Sequence, residues 1–256
     1  MIVALMLGRK GSSGLPNKNI MDVCGKPLME WPLFAAKDSK YVDDIYISTD
    51  SEEIKEIGCR NGCEIIHRPD YLCTKEALGE DAFAHGYRVI KEMNPDKKIE
   101  VVVLLFCNAA TISAELIDEG IEVLRENREL DSAVTVSEYN MWSPLRARRL
   151  DKKGLLMPFV PFETFGDPKT MNCDRESQGS ALFADMSVSI VRPRCLERIE
   201  EGMLPQKWMG RNIYPIQNWG GCDIDYEWQV PQVEYWLRKH GLTDTKKTEY
   251  TGSTEA

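Results

Sequence analysis

The apolar positions of this chain fall into two alternating patterns. Short apolar runs at Ile2 to Leu7, Asp44 to Thr49, Glu64 to His67, Glu100 to Cys107 and Ser132 to Ser137 have the length and β-branched content of strands. Between them, apolar residues recur every three or four positions, which predicts helices near Leu28 to Lys37, Ser51 to Asn61, Leu78 to Met93 and Ser113 to Asn127. Ser51 is placed to cap its helix, with Glu52 and Glu53 at the positive end of the helix dipole. The run from Glu100 is apolar almost throughout, as a central parallel strand covered on both faces requires. Strand and helix alternate, so the pattern predicts an α/β fold, a doubly wound and mostly parallel sheet.

The alternation breaks after Ser137. From Trp142 to about Ala181 the chain is cut into short pieces rich in Pro, Trp and Arg, with hairpin-like strands at Ala147 to Leu150 and Leu155 to Phe159. Sheet pattern resumes at Ser187 to Val191, followed by a helix at Pro193 to Glu201, a strand at Asn212 to Ile216 and a last helix from Ile224 to Lys239. One domain over residues 1–242, interrupted at about 142–181, accounts for this order; residues 243–256 form a polar tail without apolar period. With 256 residues, 43% of them hydrophobic, one large core is within reach and two full domains would be cramped.

Composition narrows the function. No apolar run approaches the roughly 20 residues of a membrane span. The first cation follows the apolar N-terminal strand, the reverse of a secretory signal, so a cytoplasmic location is expected. Eight cysteines without a Cys-x-x-Cys pair read as buried thiols in a reducing compartment, and three dispersed histidines do not make a metal centre. A net charge of −9 argues against nucleic acid or an anionic membrane as partner, so an anionic ligand must be held by a local positive patch.

The first turn supplies such a patch. Gly8-Arg9-Lys10-Gly11-Ser12-Ser13-Gly14-Leu15-Pro16-Asn17-Lys18-Asn19 combines glycines, hydroxyls and three cations, with no carboxylate before Asp22. Glycines let backbone N–H groups approach a polyphosphate, and Arg9, Lys10 and Lys18 supply charge. No Gly-Lys-Ser/Thr closes the loop, and its glycines do not give Gly-x-Gly-x-x-Gly, so neither a Walker loop nor a dinucleotide fingerprint is present. Open α/β sheets bind ligands at the carboxyl ends of strands, which singles out two further loops. In Ser48-Thr49-Asp50, hydroxyls follow a strand, although Asp50 or Ser51 capping the next helix explains much of the motif. In Gly221-Cys222-Asp223-Ile224-Asp225, two carboxylates one residue apart can converge on a hard cation such as Mg2+, or Asp223 caps the last helix.

The first turn resembles Ala-Arg-Gly-Gly-Ser-Lys-Gly-Ile-Pro-x-Lys-Asn, the signature of the cytidylyltransferases that activate acidic sugars, the CMP-sialic acid (acylneuraminate) synthetase family. Arg9, Gly11, Ser12, Gly14, Pro16, Lys18 and Asn19 match, and Gly8 stands where the family has Ala. The resemblance implies a nucleotide-diphospho-sugar transferase-like fold and transfer of CMP from CTP to an acidic sugar, a sialic acid or other nonulosonate, with release of pyrophosphate. It implies a nucleotide site at Leu7, Gly8, Arg9, Gly11, Ser12, Lys18, Asn19 and Ser48, and Mg2+ on Asp223 and Asp225; Asn108, in a segment that departs from the family, is a candidate to supply a substitute amide near the nucleotide. Arg9, Lys18 and Asp225 then become the catalytic candidates. It also implies a homodimer formed through the insert, with Arg146, Arg148 and Arg149 candidates to reach the partner's site unless they only line a solvated edge strand, and a sugar pocket near Asp185. Two departures stand out. Leu-Leu-Gln-Pro-Thr-Ser-Pro-Leu-Arg of the family is here Leu104-Leu105-Phe106-Cys107-Asn108-Ala109-Ala110-Thr111-Ile112, and Asn-Gly-Ala is here Asp185-Met186-Ser187. A carboxylate beside an acidic sugar is unfavourable unless paired or turned away; Arg175 and Arg192 are the candidate partners. Phe106 and Asp185 favour an alternative, a same-fold nucleotidyltransferase using another nucleotide or a sugar-phosphate acceptor. A different class, a catalytically silent nucleotide-binding regulatory protein, is disfavoured by the intact Arg9, Lys18, Asp223 and Asp225.

Overall fold

The computed structural model describes residues 1–11, 14–174 and 179–243. Every strand expected of the main sheet is present: β1 (Ile2–Leu7), β4 (Asp44–Thr49), β5 (Glu64–His67), β6 (Val101–Phe106), β7 (Ser132–Glu138), β10 (Leu182–Val191) and β11 (Ile213–Gln217). They form a seven-stranded sheet in the order β11-β7-β10-β6-β1-β4-β5. Pairing is parallel except for β10, which runs antiparallel to both β6 and β7. Two short strands not foreseen, β2 (Asp22–Val23) and β3 (Lys26–Pro27), form a hairpin after the first turn. The expected hairpin of the insert is β8 (Arg148–Leu150) with β9 (Leu156–Pro158).

The unbroken hydrophobicity of β1 and β6 follows from their central place, because both faces of the sheet are covered. Ile2, Ala4 and Met6 share one cluster with Val101, Val103 and Leu105, while Val3, Leu5 and Leu7 pack with Val102 and Leu104 on the other side. Helices α1 (Glu30–Asp38), α2 (Glu52–Arg60) and α4 (Ala114–Glu126) cover the first face. Helices α3 (Gly79–Met93) and α5 (Pro193–Glu197) cover the second. Ser51 caps α2, its hydroxyl accepting from the Ile54 N–H, as its position predicts.

Two helix boundaries differ from expectation. α5 stops at Glu197 and gives way to a separate 3-10 turn, Ile199–Glu201. The last helix, α6, spans Val230–Lys239 and not Ile224 onward. Pro231 lies in its first turn, where the missing N–H costs no helical hydrogen bond, and this sets the start. The acidic motif is therefore left as a loop and Asp223 caps no helix. Among the described residues no helix is long and apolar enough to cross a membrane. Of the polar tail, residues 244–256 lie outside the described residues.

Candidate active site

β1 and β6 end side by side, and the turn after β1 and the segment after β6 open one crevice at their carboxyl edge. Its cavity, of about 290 Å³, is lined by Leu7, Gly8, Arg9, Gly11, Lys18 and Asn19 from the first turn, and by Arg68, Phe106, Asn108 and Asp225 from later in the chain. The cationic turn and the acidic loop thus meet across it. The Lys18 Nζ lies 2.5 Å from the Asp225 carboxylate; the lysine side chain is 13% exposed and the aspartate 54%.

Each half is anchored by its own backbone contacts. Asp50, one of the capping candidates, accepts from the Lys10 N–H at 2.7 Å and so holds the first turn against the end of β4. Gly14 passes so close to the acidic loop that a Cβ there would sit 2.5 Å from the Asp225 carbonyl oxygen. Asn108 supports the other half: its Nδ2 donates to Asp223 and to the Ile224 carbonyl, and its own carbonyl accepts the Ile224 N–H. The Gln229 amide oxygen accepts the N–H groups of Asp225 and Tyr226 at 2.7 Å, fixing the exit of the loop. Burial first, and the Asp225 charge next, push the Asp223 carboxyl above its usual range, while Lys18 and Asn108 pull it down. A cation shared by the two carboxylates would relieve that cost, and an all-oxygen pair suits a hard one.

Of the expected nucleotide residues, Leu7, Gly8, Arg9, Gly11, Lys18, Asn19 and Asn108 line the crevice. Ser12 lies outside the described residues. Ser48 corrects the expectation: it is fully buried, its hydroxyl accepts from Arg68 Nε and its carbonyl from Arg68 Nη2. It therefore positions Arg68 instead of facing the crevice. Lys10 is exposed and does not line the cavity. Arg9 donates to the carbonyls of Thr74 and Cys73, and its charge has no carboxylate partner among the described residues.

Arg68 is the residue that sequence reading missed. It is 4% exposed, lines the crevice and, among the described residues, bonds Ser48 and no carboxylate; burial lowers its guanidinium below the ordinary value. A buried arginine beside Arg9 and Lys18, bound only to neutral oxygens, is poised for an anionic or carbonyl-rich ligand. One arginine just past a short strand gave no local signal.

Asp185 also differs from expectation. The register of β10 against β7 shifts between Ala184 and Ser189, and within that bulge Met186 adopts φ 63, left-handed backbone at the position where the family has glycine. The bulge turns Asp185 inward, to 5% exposure. Its carboxylate accepts from Ser137 Oγ at 2.8 Å, Asn218 Nδ2 at 3.0 Å and the Ser187 N–H at 3.1 Å. Ser137 in turn accepts the Gly221 N–H, and Thr111 Oγ1 meets both Ser187 Oγ and the Cys222 backbone. The departures Thr111, Asp185 and Ser187 thus occupy one buried network that holds the start of the acidic loop. Arg192 is not a partner of Asp185, because it bonds the carbonyls of Leu124, Asn127 and Leu130 at the opposite edge of the sheet; Arg175 lies outside the described residues. Arg146 does not line the crevice of its own chain and is tied within the insert to the Cys173 carbonyl.

Gly8 and Cys107 are coupled in the same way. A Cβ at Gly8 would collide with Cys107 Sγ and lie 2.9 Å from Ile54 Cδ1, so alanine fits only without that thiol. Gly8→Ala should cost about 1–3 kcal/mol, the usual penalty of overpacking, and adding Cys107→Ala should recover most of it in a thermal-melt double-mutant cycle.

Comparisons with known proteins bear on the family and the fold. A family model described as cytidylyltransferase matches residues 3–152. An N-acylneuraminate cytidylyltransferase of Oncorhynchus mykiss is 25% identical over 232 residues, 90% of this chain and 49% of that protein. A Helicobacter pylori protein described as pseudaminic acid cytidylyltransferase and UDP-2,4-diacetamido-2,4,6-trideoxy-beta-L-altropyranose hydrolase is 27% identical over 158 residues, 61% of this chain and 29% of that one. The chain spans about half the length, or less, of these relatives. Among solved structures, a CMP:2-keto-3-deoxy-manno-octonic acid synthetase complexed with CTP shares the fold with TM-score 0.65 at 14% identity, covering 93% of this chain and 99% of that one. With the model match extending over more than half of its length and the signature turn lining the crevice, the chain belongs to the cytidylyltransferase family.

Proposed function

We propose that this protein transfers CMP from CTP to a hydroxyl group of an acidic sugar of the nonulosonate class and releases pyrophosphate. The observation that carries the reading is the meeting of Lys18 and Asp225 across one crevice, from parts of the chain 207 positions apart. Attack on the α-phosphate builds charge on non-bridging oxygens and on departing pyrophosphate, so the site needs positioned cations more than a covalent nucleophile. Arg9, Lys18 and Arg68 provide them, and Asn19 and Asn108 provide amides. Asp223 and Asp225 would hold Mg2+, which would supply charge to offset that of the phosphates. One of the two aspartates assists deprotonation of the attacking hydroxyl. Inward-turned Asp185 presents no charge to an acidic acceptor, which supports the acid-sugar class, and the acidic sugars in the names of related proteins support it further.

Phe106 favours a second reading, another nucleotide or a sugar-phosphate acceptor. Its ring lines the crevice where the family has Gln, and it packs edge-on against Phe83, with centroids 5.2 Å apart. A pyrophosphate-release screen of four nucleoside triphosphates against acidic sugars and sugar phosphates, with and without a chelator, separates these readings. CTP with a nonulosonate and a divalent cation supports the first; turnover only with another pair supports the second, and no binding-dependent turnover at all favours a silent nucleotide-binding protein.

The insert is proposed to form a homodimer. Leu150, Leu155, Leu156 and Phe159 on or beside its hairpin are each at least 60% exposed, an apolar concentration unusual for a surface facing only water. Light scattering after gel filtration should give twice the chain mass of 29.2 kDa, and Leu156→Asp should shift the protein to monomer without loss of helix content by circular dichroism.

A further inference from the structure

A second cavity of the described residues is larger than the crevice. A cleft of about 980 Å³ opens at the opposite, amino-terminal edge of the sheet, between the loop into β6, the C-terminal end of α4 and the start of α5. Seven lysines and arginines line it against two glutamates, in a protein of net charge −9. Part of that charge is locally spent: Lys91 pairs with Glu197, Arg125 with Glu100, and, from outside the lining, Arg194 with Asp131 and Lys97 with Asp44. Three cations remain. Lys98 and Arg128 make no ion pair among the described residues, and Arg192 touches only backbone carbonyls through Nε and Nη2. Burial first, and the neighbouring charge of Arg194 next, hold the Arg192 guanidinium below its ordinary value, so the cleft carries positive charge that the protein itself does not neutralise.

We propose that this cleft is a second, peripheral anion site, built for a multiply charged phosphate compound of about nucleotide size. Arginine forks match phosphate oxygens in pairs, and Lys98 adds a point charge. The apolar side chains of Tyr87, Ile99, Leu124 and Pro193 also line the cleft and give the uncharged part of such a ligand a surface. The volume lies within the range of small-molecule pockets, and it far exceeds what a single phosphate fills. The six residues of β6 separate this edge from the crevice by about 20 Å, so an occupant does not touch Lys18 or Asp225. The site therefore does not depend on the proposed transfer reaction.

Isothermal titration of the full chain with inorganic tripolyphosphate tests this. Two independent classes of site are expected, one lost in Lys18→Ala and the other weakened about tenfold or more in the double variant Lys98→Ala/Arg128→Ala, which should keep wild-type turnover and melting temperature. Lys152→Ala/Lys153→Ala, two exposed lysines of the insert, serves as the charge control and should bind as wild type. A single class of site abolished by Lys18→Ala, or an equal loss in the control variant, overturns the proposal. Failure of CTP turnover with the peripheral class intact bears only on the proposed function.

Discussion

Asp225→Ala should lower kcat by about 10²–10³-fold or more, the range expected when one preorganised electrostatic group at a reacting phosphate is removed, while the melting temperature stays at the wild-type value. The two halves of this expectation have separate causes. The Asp225 side chain is 54% exposed and its ion pair with Lys18 opens to the crevice, while the loop geometry rests on contacts of its backbone with Gln229 and Asn108, so removing the carboxylate leaves the loop in place. Chemically, the same change removes one of the two oxygen donors proposed for the divalent ion. Lys18→Ala should also cut kcat/KM, and the double variant should be little worse than either single one, because the two groups act on the same phosphate charge. Steady-state pyrophosphate release with thermal melts checks all three. Wild-type turnover by Asp225→Ala would remove this residue from the reaction.

Asp185→Asn should be strongly damaging although it restores the family's own residue type. All three partners of this side chain, Ser137, Asn218 and the Ser187 N–H, donate to it. A carboxylate accepts from all of them; an amide brings a donor of its own and leaves at least one buried N–H or O–H facing another, a cost of about 1–3 kcal/mol. In a chain of this size that lowers the melting temperature by about 2–4 °C per kcal/mol. Turnover should fall as well, since Ser137 links this carboxylate to the Gly221 N–H and hence to the loop carrying Asp223 and Asp225. The measured signature is a rise in the divalent concentration needed for half-maximal turnover at saturating CTP. A variant as stable and as active as wild type would show that the acidic loop needs no support from the bulge.

Much of the sheet was legible because its residues are governed by local periodicity. Asp44–Thr49 and Glu64–His67 begin and end where the pattern places them, as turn residues and helix caps bound them on both sides. The crevice was legible because Arg9, Lys18 and Asp225 sit in motifs whose spacing is visible along the chain. What escaped depends on contacts between distant segments. The burial of Ser48 and the role of Arg68 arise from one side chain crossing to a neighbouring strand, 20 positions away. The inward turn of Asp185 needs a bulge and a left-handed methionine, neither of which a run of apolar residues announces. Helix α6 was placed too early because Ile224 is buried in a loop, its N–H and carbonyl both bonded to Asn108, whereas Pro231 lies in the first turn of the helix that follows.

The wide separation of Lys18 from Asp225 along the chain bears on how the molecule comes into being. During synthesis the lysine-bearing turn emerges with the earliest strand, but its acidic counterpart follows only after all seven strands of the main sheet have been made. A polypeptide halted before Gly221 would still present the arginine and lysine to phosphate, yet it would lack both proposed metal ligands. If the proposed transfer holds, such shortened chains would bind phosphate without attacking or releasing it.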